Sequence, residues 1–336
     1  MDVIYDDIIK DLQSSGGISV YWDNLKNQLV NKFNVSSFNG KNNKRDLNLT
    51  LSFHRYLNFK TNVNYNHIFH SSYYRISKNR NSKNVVTVHD FVYEYYSTGL
   101  KKFFHLFQKR NALLYADRII CVSENTKKDL LKFYPKLERK IIKVIYHGVS
   151  DDFYMINHNS TKKIQTSKSL VFIGNRRGYK NFQIVLDILF TSKKYNLILV
   201  GGGLLSKKEK SKLKNIRFKH YLNISNKKLN ELYNKSFALI YPSLYEGFGL
   251  PIIESLKAGC PVICNNGSST KEIGDKYVLK GEMTAEFILK SLEKLEDQTY
   301  RQKLAFDGIN YASNFTWEKT ANETLNLYKE LWKEFQ

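Results

Sequence analysis

Residues 237–264 read FALIYPSLYEGFGLPIIESLKAGCPVIC. FALIYPS, Phe237 to Ser243, reads as a strand, and LYEGFG, Leu244 to Gly249, as a loop. Leu250 opens a helical pattern with Pro251 in its first turn, where the missing N–H of proline loses nothing. Gly259 suits the end of that helix, Pro261 prevents its continuation, and VIC begins the next strand. Strand, loop, helix and strand in this order build a parallel sheet, whose ligands collect at the carboxyl ends of the strands. A helix start at that end offers free N–H groups to an anion. Glu246 is expected to face the site from the loop, and Glu254, eight positions on, from the first turn of the helix.

The same alternation runs through the chain. NVVTVHD, RIICVS, KVIYHG, SLVFIGN and NLILVGGG are further strand-length apolar runs separated by helical stretches, the signature of parallel sheets covered on both faces. The fold class is α/β, with 336 residues sufficient for two domains. The text between Gly148 and Lys168 is polar and without periodicity, so the linker is placed there. The expected domains are residues 1–160, residues 161–315, and a closing helix over 316–336 with Thr316 as N-cap, packing back towards the first domain.

MDVIYDD reads as an opening strand rather than as a secretory signal, and no apolar run reaches the roughly 18 residues of a membrane span. Cys121, Cys260 and Cys264 lie in apolar runs and suit reduced, buried thiols. Lys and Arg number 53 against 31 Asp and Glu, a formal charge of +22 that favours anionic partners without choosing among them. Much of the excess alternates with Asn and suits a solvated face.

Two carboxylates near a helix start have other readings. Glu254 could only complement the helix dipole and Glu246 could be a surface acid, or the two could flank a glycosidic bond for hydrolysis. GNRRGYKN, after the strand LVFI, adds Gly174, Arg176, Arg177 and Lys180 at a second strand end, with guanidinium forks and an ammonium for phosphate oxygens. Gly16 and Gly17, before the helical pattern VYWDNLKNQLV, let backbone amides approach a phosphate.

PSLYEGFGLPIIESLKAGCPVI resembles the donor-site motif of retaining glycosyltransferases of family 4. QSSGGISVYWDNL, VTVHDFVYEYY, CVSENTKKDLL, VIYHGVSDDF, FIGNRRGYKN and FTWEKTANETL follow that family's blocks in order, closest to bacterial O-antigen and capsule enzymes. The resemblance implies a GT-B fold, two Rossmann-like domains facing a central cleft, and a donor that is a GDP-, UDP- or dTDP-linked sugar. It implies that Lys180 and one of Arg176 and Arg177 grip the diphosphate, and that Glu254 accepts from the ribose hydroxyls. Glu246, Gly247, Phe248, Gly249 and Leu250 would meet the transferred sugar, Gly16 and Gly17 the distal phosphate and acceptor, His89 the sugar, and Asp90 the acceptor side. No cofactor and no metal are expected, and no D-x-D motif occurs.

LVGGGLLS at 199–206 ends on Ser206 where a dinucleotide fingerprint needs glycine, and reads as a turn beside the nucleotide. KKFFHLFQKRNALLYADR at 101–118 mixes cations with Phe and Leu, and suits either a helix on an anionic membrane surface or an ordinary packed helix. The expected acceptor is a glycan or lipid-linked oligosaccharide, and the expected location is cytoplasmic, at the inner membrane face. A soluble or protein acceptor, or a sugar epimerase, remain as alternatives. A nucleic-acid binder is disfavoured because the basic residues form no stripe or motif.

Overall fold

The computed structural model describes residues 1–12, 16–38, 55–60, 62–156, 168–176 and 178–336. They divide into two compact units, one formed by Met1–Gly148 and Thr316–Gln336, the other by Val149–Phe315. The change of unit thus falls at 148/149, ahead of the expected 160/161. The stretch after Gly148 is polar in sequence, yet it is pinned to the second unit by Tyr154 N–H on Asn230 Oδ1 (3.1 Å) and Ile156 N–H on Asn234 Oδ1 (2.8 Å). The rest of the expected linker, 157–167, lies outside the described residues.

The first unit contains β1 (Asp2–Asp6), α1 (Ile8–Leu12), α2 (Gly17–Leu29), β2 (Asn34–Phe38), β3 (His67–Ser71), β4 (Ser82–Val88), α3 (Val92–Tyr96), α4 (Gly99–Tyr115), β5 (Arg118–Cys121), α5 (Glu124–Phe133) and β6 (Ile141–Val144). Its six strands are all parallel, in the order β2-β1-β3-β4-β5-β6. The second unit contains β7 (Ser169–Ile173), α6 (Phe182–Thr191), β8 (Asn196–Val200), α7 (Lys207–Leu213), β9 (Phe218–Tyr221), α8 (Asn226–Lys235), β10 (Ala238–Tyr241), α9 (Leu250–Lys257), β11 (Val262–Asn265), β12 (Leu279–Gly281), α10 (Ala285–Lys294) and α11 (Gln298–Ala312). Its sheet is also parallel, ordered β12-β11-β10-β7-β8-β9. Strand order reverses beside β7, the switch point at which such sheets bind ligands.

The chain re-enters the first unit through α12 (Trp317–Trp332), whose N-cap Thr316 accepts from Lys319 N–H at 3.1 Å. Gly148 lies so close to the re-entry point that a Cβ there would sit 2.2 Å from Trp317 N, which only glycine permits. Trp317, Ala321, Leu325, Tyr328 and Leu331 recur at helical spacing and are buried against Tyr5, Tyr21, Trp22 and Leu25. Each large apolar side chain so buried stabilises by about 1.5–3 kcal/mol. Within this core the Tyr328 hydroxyl meets His70 Nδ1 and the Tyr5 hydroxyl (3.1 Å), while His70 Nε2 meets Thr87 Oγ1 at 2.8 Å.

Four histidines of this unit, His70, His89, His105 and His147, are buried, and burial holds each below the ordinary imidazole range, His89 and His105 at about 3. Below about pH 6.5 the unfolded chain therefore takes up protons that the native imidazoles refuse, so native stability is present above that pH and is lost on acidification. Each such histidine contributes at most about 1.4 kcal/mol per pH unit. Asp6, whose burial raises its carboxyl, acts in the opposite sense as one group against four. Trp22, Trp317 and Trp332 all lie in this unit, so fluorescence-monitored urea unfolding reads it directly. The midpoint should fall between pH 6.5 and 5, and a flat profile would contradict the burial of neutral imidazoles.

Candidate active site

In the second unit two loops at adjacent strand ends are tied together. β7 runs into Gly174, whose φ of +113° excludes most other residues, and then through Arg176 to a 3₁₀ turn at Gly178–Lys180. β10 runs into Pro242–Gly249. Leu244 N–H donates to Tyr179 O at 2.8 Å, and the Lys180 ammonium pairs with the Glu246 carboxylate, each side chain 14% exposed. The Glu246 loop is fixed in turn from the segment after β11. Glu246 N–H donates to Ser268 Oγ (3.0 Å), and Ser269 Oγ donates to the carbonyls of Glu246 and Phe248, 2.9 Å each. Phe248 is buried with its ring 6.2 Å from that of Phe315.

Gly249, at φ +102°, is the N-cap of α9, and no side chain caps the helix start. The helix begins at Leu250 with Pro251 next, so Glu254 stands in the second turn, not in the first as its sequence position suggested. There its carboxylate receives the Tyr233 hydroxyl at 3.3 Å. Burial pushes the Glu254 carboxyl up to about 7, against the pull of that hydrogen bond. A carboxyl shifted so far from its ordinary range at a strand end marks a candidate functional site.

Arg176 has another setting. Its Nη atoms donate to the carbonyls of Gly201 (3.2 Å), Gly202 (3.0 Å), Gly203 (3.2 Å) and Leu204 (3.2 Å), and its Nε pairs with Glu209. The three glycines all have φ near +70°, and a Cβ on Gly202 would lie 2.2 Å from Arg176 Nη1. The GGG motif is thus a left-handed turn wrapped on a guanidinium, closed by a Ser206–Glu209 capping box at the start of α7. Arg176 reaches a phosphate only by giving up these bonds. Arg177 lies outside the described residues.

In the first unit Gly16 is the N-cap of α2 and Gly17 its first residue, at the carboxyl end of β1. His89 follows β4 with 9% exposure, its ring 5.0 Å from Tyr21 of α2, and neither ring nitrogen has a hydrogen-bond partner among the described residues. Burial, and then the charge of Lys109, keep it neutral to about pH 3. The Asp90 carboxylate accepts from Val92 N–H at 3.0 Å.

Lys109 and Glu94 escaped the sequence reading. The Lys109 side chain is fully buried, its ammonium 2.8 Å from Glu94, 2.7 Å from the Asp90 carbonyl and 3.5 Å from the Phe91 ring centroid. The pair fixes the backbone directly after His89. Among the described residues no cluster of three or more His, Cys, Asp or Glu could hold a metal. The three cysteines are buried, and burial pushes their thiols up to about 12.

Two parallel-sheet units with charged side chains in the loops at their strand ends place the chain in the α/β class, whose ligands bind at strand ends. Residues 155–315 match the family model for glycosyl transferases group 1, and residues 34–153 the model for glycosyltransferase family 4. The chain belongs to these glycosyltransferases and has their GT-B fold. It is 36% identical over 118 residues to O-antigen chain mannosyltransferase B of Escherichia coli, which covers 34% of this chain and 30% of that protein. It is 28% identical to O-antigen chain mannosyltransferase RfbU of Salmonella typhimurium, over 64% of this chain and 62% of the relative. The chain therefore spans less than two thirds of either relative's length. Among solved structures it is similar to sucrose-phosphate synthase from Thermosynechococcus elongatus (TM-score 0.77, 16% identity, 99% of this chain and 100% of that one). It is also similar to Anabaena Alr3699/HepE in complex with UDP and glucose (TM-score 0.70, 14% identity, 98% and 99%).

Replacing Lys109 by Met should leave Glu94 buried without a partner and cost about 3–5 kcal/mol in urea unfolding, whereas Lys109→Met with Glu94→Gln should cost less. In the double variant the His89 imidazole, titrated by NMR, should protonate at higher pH than in the wild type. A single variant within about 1 kcal/mol of wild type would refute the buried pair.

Proposed function

We propose that the protein is a hexosyltransferase that moves a sugar from a nucleotide-diphosphate donor to a hydroxyl of a growing surface glycan of O-antigen type, with retention of configuration. The Lys180–Glu246 ion pair at the start of α9 carries this reading. It puts a cation for the departing diphosphate and an acceptor for sugar hydroxyls in one place, beside the uncapped helix start. The two mannosyltransferase relatives, and a structural neighbour solved with UDP and glucose, support the donor class.

In the proposed reaction the bond from the anomeric carbon to the diphosphate oxygen breaks and a bond to the acceptor oxygen forms on the same face of the ring. The acceptor proton passes to the leaving diphosphate, so no metal or cofactor enters. Lys180 and the amides of Phe248, Gly249 and Leu250 hold the developing negative charge, with Gly174, Gly247, Gly16 and Gly17 allowing close backbone approach. Arg177 would serve the same charge, while Arg176 shapes the 201–204 turn beside it. Glu254 accepts from the ribose hydroxyls, and His89 and Asp90 serve the sugar and the acceptor. The acceptor is a lipid-linked glycan at the cytoplasmic face of the membrane.

Incubation with UDP-, GDP- and dTDP-sugars and a lipid-linked acceptor should release nucleoside diphosphate for one donor base, and the anomer of the product read by NMR tests retention. Lys180→Ala and Glu246→Gln should each lower turnover by about 10²–10³ with the fold intact by circular dichroism. Near-normal turnover in both would sink the assignment. A second check uses the raised Glu254 carboxyl. Its ionised form offers both oxygens as strong acceptors, whereas the acid form turns one into a donor, so affinity for the preferred nucleoside diphosphate should rise as pH passes upward through about 7. In Glu254→Gln affinity should be weaker and lack that step. The same variant removes the burden of ionising a buried acid, so well above pH 7 it should be more stable than wild type, on the order of 3 kcal/mol.

A further inference from the structure

Helix α4 is sorted against hydrophobicity. It buries His105, Gln108, Lys109, Ala112 and Leu113, while Leu100, Phe103, Phe104 and Phe107 stand 76%, 64%, 51% and 65% exposed. Positions 100, 103, 104, 107 and 114 fall within one stripe at 3.6 residues per turn, so the exposed apolar side chains form a single face about 21 Å long. The face extends sideways where the Tyr56 ring lies 6.1 Å from that of Phe104. Contiguous apolar surface of this kind marks an interaction site.

The exposed charges on the helix have one sign. Lys101 and Arg110 are exposed on the two flanks of the stripe and Lys78 stands 5.4 Å over the Tyr115 ring, while Lys132 stands 5.0 Å over the Tyr95 ring, whose hydroxyl donates to the buried Asp129. Residues 99–115 contain no acid. This decides between occupants. A second copy docking through the same face would set these cations against their own equivalents, because a two-fold interface is self-complementary, and like charges so opposed are unfavourable. An anionic sheet meets the same rim with opposite charge and accepts phenylalanine at its acyl boundary.

We propose that the exposed face of α4 docks the protein on a membrane leaflet rich in anionic lipid. Leu100, Phe103, Phe104 and Phe107 enter the boundary between headgroups and acyl chains, and Lys101, Arg110, Lys78 and Lys132 meet lipid phosphates. This contact requires no transfer reaction, so its test and that of the proposed activity fail separately.

The full chain is sedimented with extruded vesicles of phosphatidylcholine alone or with 30% phosphatidylglycerol, at 50 and 500 mM NaCl, where ~30% anionic lipid and roughly tenfold salt bracket the screening range. The wild type should bind the anionic vesicles at least about tenfold more tightly than the neutral ones and lose most of that preference in high salt. Phe103→Ser with Phe107→Ser, both at exposed positions, should reduce binding about tenfold with an unchanged melting temperature. Lys101→Glu with Arg110→Glu should abolish the preference for anionic lipid. Absence of binding by wild type, or equal binding by the Phe103/Phe107 variant, overturns the proposal. So does a dimer in light scattering that the same variant dissociates, because the face then belongs to a second copy.

Discussion

The pairing of Lys180 with Glu246 is the contact on which the second unit's site depends. A lysine and a glutamate each seven-eighths covered would be costly to desolvate alone, and together they offset that cost only while their loops hold them in register. The register comes from backbone: Leu244 N–H on Tyr179 O joins the loops, and Ser268 and Ser269 hold the chain of Glu246 and Phe248 from the neighbouring strand end. An ammonium held in place by its loop needs little reorganisation to meet an anion. Preorganisation of this kind is what electrostatic catalysis requires.

The first unit meets a related constraint by deeper burial. Lys109 and Glu94 are closed off from solvent, and the ammonium also satisfies the Asp90 carbonyl, so the chain after β4 is fixed from beneath. His89 sits directly before that anchor. Its ring is neutral because burial and the Lys109 charge both disfavour a proton, and neither nitrogen has a hydrogen-bond partner among the described residues. In both units a buried or half-buried ion pair sets the loop, and the loop presents the group suited to a ligand.

Much of this was legible in sequence because central parallel strands are covered on both faces and read as near-continuous apolar runs, as in Val85–Val88, broken only by Thr87, and Ala238–Tyr241. Others were hidden. β3 reads HIFHS, and its two histidines and serine are buried by hydrogen bonds rather than by apolarity. β9, FKHY, lies at a sheet edge and has no buried face to pattern it. Glu246 and Lys180 were singled out by the resemblance of their loops to a family motif rather than by composition alone, and the turn holding Glu254 depended on where Gly249 lets the helix start. Three basic residues in one loop likewise gave no sign that Arg176 would be spent on the carbonyls of residues 201–204, since carbonyl positions leave no trace in side-chain pattern.

Helix α4 departs from hydrophobic sorting twice, and the two departures have different causes. Inside, a lysine replaces an apolar residue, and Glu94, the Asp90 carbonyl and the face of Phe91 compensate its lost hydration. Outside, the phenylalanines contact little within their own unit, as their exposure records. A chain selected only to fold would gain by polar residues at 103 and 107, since exposed phenylalanine adds nothing to stability and favours aggregation. Local conflicts left standing in an otherwise consistent fold mark places where function outweighs stability. The inner conflict fixes the His89 loop, and the outer one is the face proposed above to meet an anionic membrane.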